Sequence, residues 1–219
     1  NGSSVVFQNV AVTGGGTLDL SAAASLQIFG GLTLGADSTL NMGNHTYELT
    51  AGNVLNVQAD GGTLNAAKLT LSGGSFQFDA DTLSADSALL TLGGSLTNSA
   101  GATISFLNVT GDYVDKSFTL ATGDWSGVLS GLSGANLGAM KAMFSCNDAG
   151  NLMVTFSANA FIWDGTQENN TWSASAFATA GTPNANSNLL FRDGSSPDVV
   201  VSGSVIGADM YFENDKDTY

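Results

Sequence analysis

One phrase recurs through the first half of this sequence: a short run in which apolar and small polar residues alternate, a Gly-Gly pair, then Ser or Thr and another apolar run. Val10-Ala11-Val12-Thr13-Gly14-Gly15-Gly16-Thr17-Leu18-Asp19-Leu20 and Leu26-Gln27-Ile28-Phe29-Gly30-Gly31-Leu32-Thr33-Leu34 are two copies. Leu55-Asn56-Val57 with Gly61-Gly62-Thr63-Leu64, then Leu69-Thr70-Leu71-Ser72-Gly73-Gly74-Ser75-Phe76, then Leu89-Leu90-Thr91-Leu92-Gly93-Gly94-Ser95-Leu96 continue the series. Self-similarity of this kind marks a repeat architecture. Period-two alternation turns one set of side chains inward and the other outward, so each run predicts a strand with one buried face. Strands this short, joined by glycine corners rather than Asn-Gly hairpin turns, predict a coil of stacked rungs. In such a coil each strand pairs with its equivalent one repeat on, about 4.8 Å away. The Gly-Gly pairs are unevenly spaced, so loops of varied length interrupt the rungs.

Stacking like over like also accounts for the composition. Only 11% of the residues are charged while 43% are hydrophobic. Ser, Thr and Asn can stand over their own kind and exchange hydrogen bonds, whereas Lys or Glu stacked at the same spacing would repel. The expected fold is therefore all-β, a parallel β-helix (β-solenoid) with a short helical insert, and the alternative is an antiparallel β-sandwich. Nineteen Asp and Glu against five Lys and Arg give a net charge of -14. That balance repels nucleic acid and anionic lipid, so no nucleic-acid partner is expected. No run of about 18 apolar residues occurs, so no membrane insertion of this stretch is expected either. The lone Cys146 has no partner for an internal disulfide and reads as a small buried hydrophobe.

Residues 1–109 read as solenoid rungs, 110–158 as closing strands around the helical insert, and 159–219 as the start of a further repeat. Within residues 132–144 the three-to-four-residue spacing of Leu137, Met140, Met143 and Phe144 predicts one or two turns of helix, with Gly134 and Gly138 weakening the pattern. Strands are expected again at residues 151–156, 189–191, 199–201 and 209–212, with a loop-rich insert over 159–188. Both ends read as cut from something longer, and the exposed ends of a coil would favour end-to-end self-association.

Trp163-Asp164-Gly165-Thr166, then Asn170-Thr171-Trp172, then Asn188-Leu189-Leu190-Phe191 and Val199-Val200-Val201-Ser202-Gly203 follow a recognisable order. It resembles the passenger repeats of bacterial autotransporters, the type V secreted proteins with autotransporter-associated β-strand repeats. Val5-Val6-Phe7 with Val10-Ala11-Val12-Thr13-Gly14 looks like the same Phe-to-Gly strand sequence from a preceding unit. The resemblance implies a right-handed β-helix that is exported to the extracellular space or the outer-membrane surface of a Gram-negative bacterium. It implies a structural or adhesive passenger module, and it does not imply catalysis, because one fold hosts many roles.

The residues offer few chemical constellations. His45 is the only histidine, with no Gly-x-Ser-x-Gly elbow and no His-x-x-x-His pair, so it reads as a turn or surface residue. Asp79 and Asp81 share a face if extended, with Asp86 close by. Two such carboxylates would be the basis of an acid hydrolase, protease or glycosidase, acting on mucin-like glycoprotein. Calcium-binding repeat and EF-hand patterns are missed, so no metal and no cofactor is expected. Trp125, Trp163 and Trp172 could present stacking faces to sugar rings, and Asp164, Arg192 and Asp193 polar partners to a ligand. On that reading the partners are host glycans, mucin or a host surface protein.

Overall fold

The computed structural model describes residues 3–110, 113–135, 137, 140–158, 161–163, 188–192 and 209–213. In chain order its strands are β1 (Ser4–Phe7), β2 (Val10–Val12), β3 (Thr17–Asp19), β4 (Ser25–Ile28), β5 (Leu32–Leu34), β6 (Thr39–Thr50), β7 (Val54–Val57) and β8 (Gly62–Asp79). They continue as β9 (Leu90–Leu107), β10 (Ser117–Thr122), β11 (Leu132–Gly134), β12 (Met140–Cys146), β13 (Leu152–Ala158), β14 (Phe161–Trp163), β15 (Leu189–Arg192) and β16 (Met210–Glu213). Turns of 3-10 helix lie at Ala80–Thr82 and Leu129–Gly131, and no α-helix is present among the described residues. The chain is all-β. It divides into two compact units: Asn1–Val109, Ser117–Ala135 and Met143–Thr155 in the first, Thr110–Lys116, Asn136–Ala142 and Phe156–Tyr219 in the second.

In the first unit, the strands from Ser4 to Leu107 pair in parallel, each with the strand one repeat away. Val10, Leu32, Leu55, Phe76 and Ile104 stand in register, and all are buried. Val12, Leu34, Val57 and Phe78 form a second buried column beside them. Each such side chain contributes roughly 1.5–3 kcal/mol by leaving water, so the apolar half of the alternation holds the ladders together. The polar half stacks as well. Thr17, Thr39, Thr63, Thr91 and Thr122 lie in register across β3, β6, β8, β9 and β10. Asn41 Nδ2 donates to Asp19 Oδ1 at 3.1 Å, and the hydroxyls of Thr70 and Thr97 lie 3.2 Å apart, each pair bridging neighbouring strands.

An antiparallel sandwich requires neighbouring strands that alternate in direction, and from Ser4 to Leu107 they do not. Antiparallel pairing enters with β10 and β13, where Phe118 faces Val154 across a ladder with a bulge between Thr119 and Ala121. The end of β10 still runs parallel to β9, with Ala121 opposite Leu90.

Among the described residues of 132–144 the expected helical insert is not found. That stretch holds β11 and the start of β12, with the 3-10 turn Leu129–Gly131 just before it. Along β12 the exposure alternates residue by residue, so Met140 is buried while Met143 is 45% exposed. Lys141, Met143 and Ser145 share one face and Met140, Ala142, Phe144 and Cys146 the other. Period two was present in these residues beside the looser helical spacing, and the available strand neighbour β13 selected it.

In the second unit, β14, β15 and β16 form a parallel sheet in which Trp163, Phe191 and Phe212 occupy one register position. The Phe191 and Phe212 rings stack at 4.9 Å between centroids. Here too the strand expected at 189–191 is found and the one at 209–212 is found over Met210–Glu213, whereas that at 199–201 lies outside the described residues.

Candidate functional site

The residues singled out from sequence do not converge. Trp125 is fully buried in the first unit, edge-on to Phe76 at 5.6 Å, and its Nε1 donates to the Thr122 carbonyl at 3.3 Å. An indole so enclosed presents no face to a sugar, which corrects the stacking role considered for it. Trp163 lies in β14, in register with Phe191, and Arg192 ends β15 opposite Glu213. Asp164, Trp172 and Asp193 lie outside the described residues.

The acidic pair is engaged in structure. Asp79 Oδ1 accepts from the backbone N–H of Asp81 at 3.2 Å, capping the 3-10 turn, and from Asn108 Nδ2 at 2.9 Å. The carboxyl of Asp79 is thereby turned onto the backbone of Asp81 rather than into a shared acid/base site. A general acid needs a raised pKa. Asp19 and Asp124 instead shift below the usual carboxylate range, each held ionised by hydrogen bonds from the side chain and backbone of a serine two residues on. His45 Nε2 lies 3.0 Å from the Ala23 carbonyl, which can only accept, so that nitrogen carries the proton and the ring braces one repeat against the next. No group of three or more metal-ligating side chains occurs among the described residues.

A different site emerges where the stacking fails. Strand β4 pairs with β1 on one side, and the second half of β6 pairs with β8, but β4 and β6 do not pair with each other. The register of β6 against β8 shifts at Gly43 and again before Thr46, so residues 44–45 stand outside the ladder just ahead of this stretch. A cleft of about 280 Å³ opens there, lined by residues 26–29, residues 46–48 and Thr50. It lies wholly within the first unit.

Tyr47 is the unusual member of this wall. It occupies an inward position in register with Leu69, is 1% exposed, and its hydroxyl has no hydrogen-bond partner. At the rim, the Phe29 side chain is 63% exposed, and Val6, opposite Gln27 on β1, is 60% exposed. On the β6 wall, Glu48 Oε1 accepts from Ser72 Oγ of the paired strand β8 at 2.8 Å. Sequence reasoning passed over these residues because each is unremarkable alone. The available signal was a tyrosine at an inward strand position, where a hydroxyl needs a partner that its leucine neighbours cannot provide.

Burial pushes the Tyr47 phenol up to about 12. Tyrosine ordinarily ionises near 10. Folded Tyr47 therefore keeps its proton where the unfolded chain has lost it, and stability falls as pH rises from about 10 through about 12, by roughly 2–3 kcal/mol. Urea midpoints measured across that range should drop steeply for the native chain and less for Tyr47→Phe. At neutral pH the same substitution removes an unpartnered buried hydroxyl, so it should be neutral or stabilising, by up to roughly 1–3 kcal/mol.

In comparisons with protein-family models, with curated proteins and with solved structures, nothing matches this chain.

Proposed function

We propose that the chain is a right-handed β-solenoid module of an exported protein, displayed on the outer surface of a Gram-negative bacterium or released from it. Its role on this reading is structural and adhesive, a rigid support that carries binding surfaces away from the cell. The observation behind it is the register. Parallel strands one repeat apart place leucine over leucine, threonine over threonine and asparagine over asparagine, which is how a solenoid spreads stability along its length without any central site. The order of Trp, Gly and Phe motifs in residues 163–203, which resembles autotransporter passenger repeats, supplies the export half of the proposal. The strong negative charge and the near absence of basic residues agree with a surface that stays soluble and does not adhere to nucleic acid.

Two measurements test this. Spin labels at Thr17, Thr39 and Thr63, each through a cysteine in a Cys146→Ala background, should report backbone spacings of about 4.8 Å between successive positions and about twice that between the outer pair. A disordered or reversed spacing would overturn the solenoid. Antibody against the chain should label intact cells of the source organism, or recover the protein from its medium. Labelling only after lysis would overturn export.

A further inference from the structure

We propose that the cleft between β4 and β6 is a binding site for a neutral sugar ring, with Phe29 as its stacking face and Gln27 and Glu48 as its polar partners. The site belongs to the fold of the first unit and does not depend on whether the chain is exported.

The chemistry of the walls selects the ligand. A sugar ring offers an apolar C–H face and a girdle of hydroxyls that both donate and accept. The cleft matches both halves: the Phe29 ring stands out to solvent on the β4 wall, and the polar residues Gln27 of β4 and Thr46, Glu48 and Thr50 of β6 line the same cleft. The Gln27 amide can donate and accept, and the Glu48 carboxylate accepts. Glu48 is held by Ser72 through Oε1, which leaves Oε2 able to accept from a ligand hydroxyl.

Charge narrows the class further. With -14 overall and Glu48 on the wall, an anionic sugar meets repulsion and desolvation together. The size narrows it again. About 280 Å³ is at the lower limit of small-molecule pockets, so the cleft takes one ring or two and leaves the rest of a glycan in solvent. On a support made of repeated rungs, one weak site of this kind acts through multivalency when many copies are displayed.

The test uses the full chain with methyl glycosides of galactose, glucose, mannose and N-acetylglucosamine, and with sialic acid as the anionic control. Ligand-observed NMR and calorimetry should find at least one neutral glycoside binding with a Kd of about 1 mM, and sialic acid at least about tenfold weaker. Phe29→Ala and Gln27→Ala should each weaken binding about tenfold or more with far-ultraviolet circular dichroism unchanged. The proposal is overturned if no neutral glycoside binds, if sialic acid binds equally well, or if Phe29→Ala binds as tightly as the native chain. None of these results bears on the spin-label spacings, so failure here is distinguishable from failure of the solenoid.

Discussion

Gly94→Ala is expected to be among the most destabilising single substitutions in the chain, at about 3–5 kcal/mol by urea denaturation. Gly94 has φ of 98°, in the region that side chains rarely enter. It also sits where β8 and β9 fall out of step: Asn65 pairs with Gly93 and Lys68 with Ser95, so Ala66 and Ala67 together oppose Gly94 alone. A Cβ at Gly94 would overlap the carbonyl oxygen of Ala66 and lie 2.8 Å from that of Ala67. Both are backbone atoms of the neighbouring strand and neither can rotate away. Relief requires parting β8 from β9, the most extensive pairing in the structure, which runs from Gly62 opposite Leu90 to Asp79 opposite Leu107. Gly14→Ala is the control. Its φ of 67° is also left-handed, but nothing lies within 4 Å of the added carbon, so the loss should be only about 1 kcal/mol. Equal losses at the two sites would mean that close approach of the rungs is not what glycine serves at position 94.

The same glycines explain how much could be read in advance. Alternation such as Leu69-Thr70-Leu71 fixes which side chains are buried, so the all-β character was legible, but the Gly-Gly pairs mark turns only in part, since Gly73-Gly74 and Gly93-Gly94 lie inside the long strands β8 and β9 at breaks in register. What could not be read was anything that depends on which strand lies beside which. The residues of β12 satisfy both a helical and a strand period, and only the neighbour β13 decides between them. Trp125 looked like a surface aromatic because it stands between Asp124 and Ser126. The segment instead folds so that the backbone N–H of Trp125 donates to the Gly150 carbonyl and the ring enters the core beside Phe76. The cleft is the extreme case. It is made by the absence of a pairing between β4 and β6, and an absent pairing leaves no mark in either strand's own pattern. Tyr47 was visible as a tyrosine but not as an unpartnered one, since that requires knowing that Leu69 stands in register with it.

Phe76→Ala should cost about 3–5 kcal/mol, at the upper end for a core truncation. Phe76 is fully buried, with Leu55 in register on one side and Ile104 on the other. Its ring lies nearly parallel to that of Phe78 at 6.2 Å and edge-on to Trp125 at 5.6 Å, so truncation removes two aromatic contacts as well as apolar area. Whether a cavity collapses decides where in the range such a substitution falls. Here collapse is opposed from both sides. Leu55 and Ile104 belong to strands whose spacing is set by backbone hydrogen bonds, and those ladders cannot close by the width of a ring without breaking along their length. Phe76→Leu keeps most of the volume and should recover more than half of the loss, and Phe29→Ala, at an exposed position, should stay within about 0.5 kcal/mol of the native chain. The near-ultraviolet circular dichroism of Trp125 provides an independent readout, because the indole loses its edge contact whether or not the rungs separate. If Phe76→Ala loses that signal at little cost in stability, the core is able to repack around the gap. Register would then be held by the polar stacks and corners rather than by the inward columns.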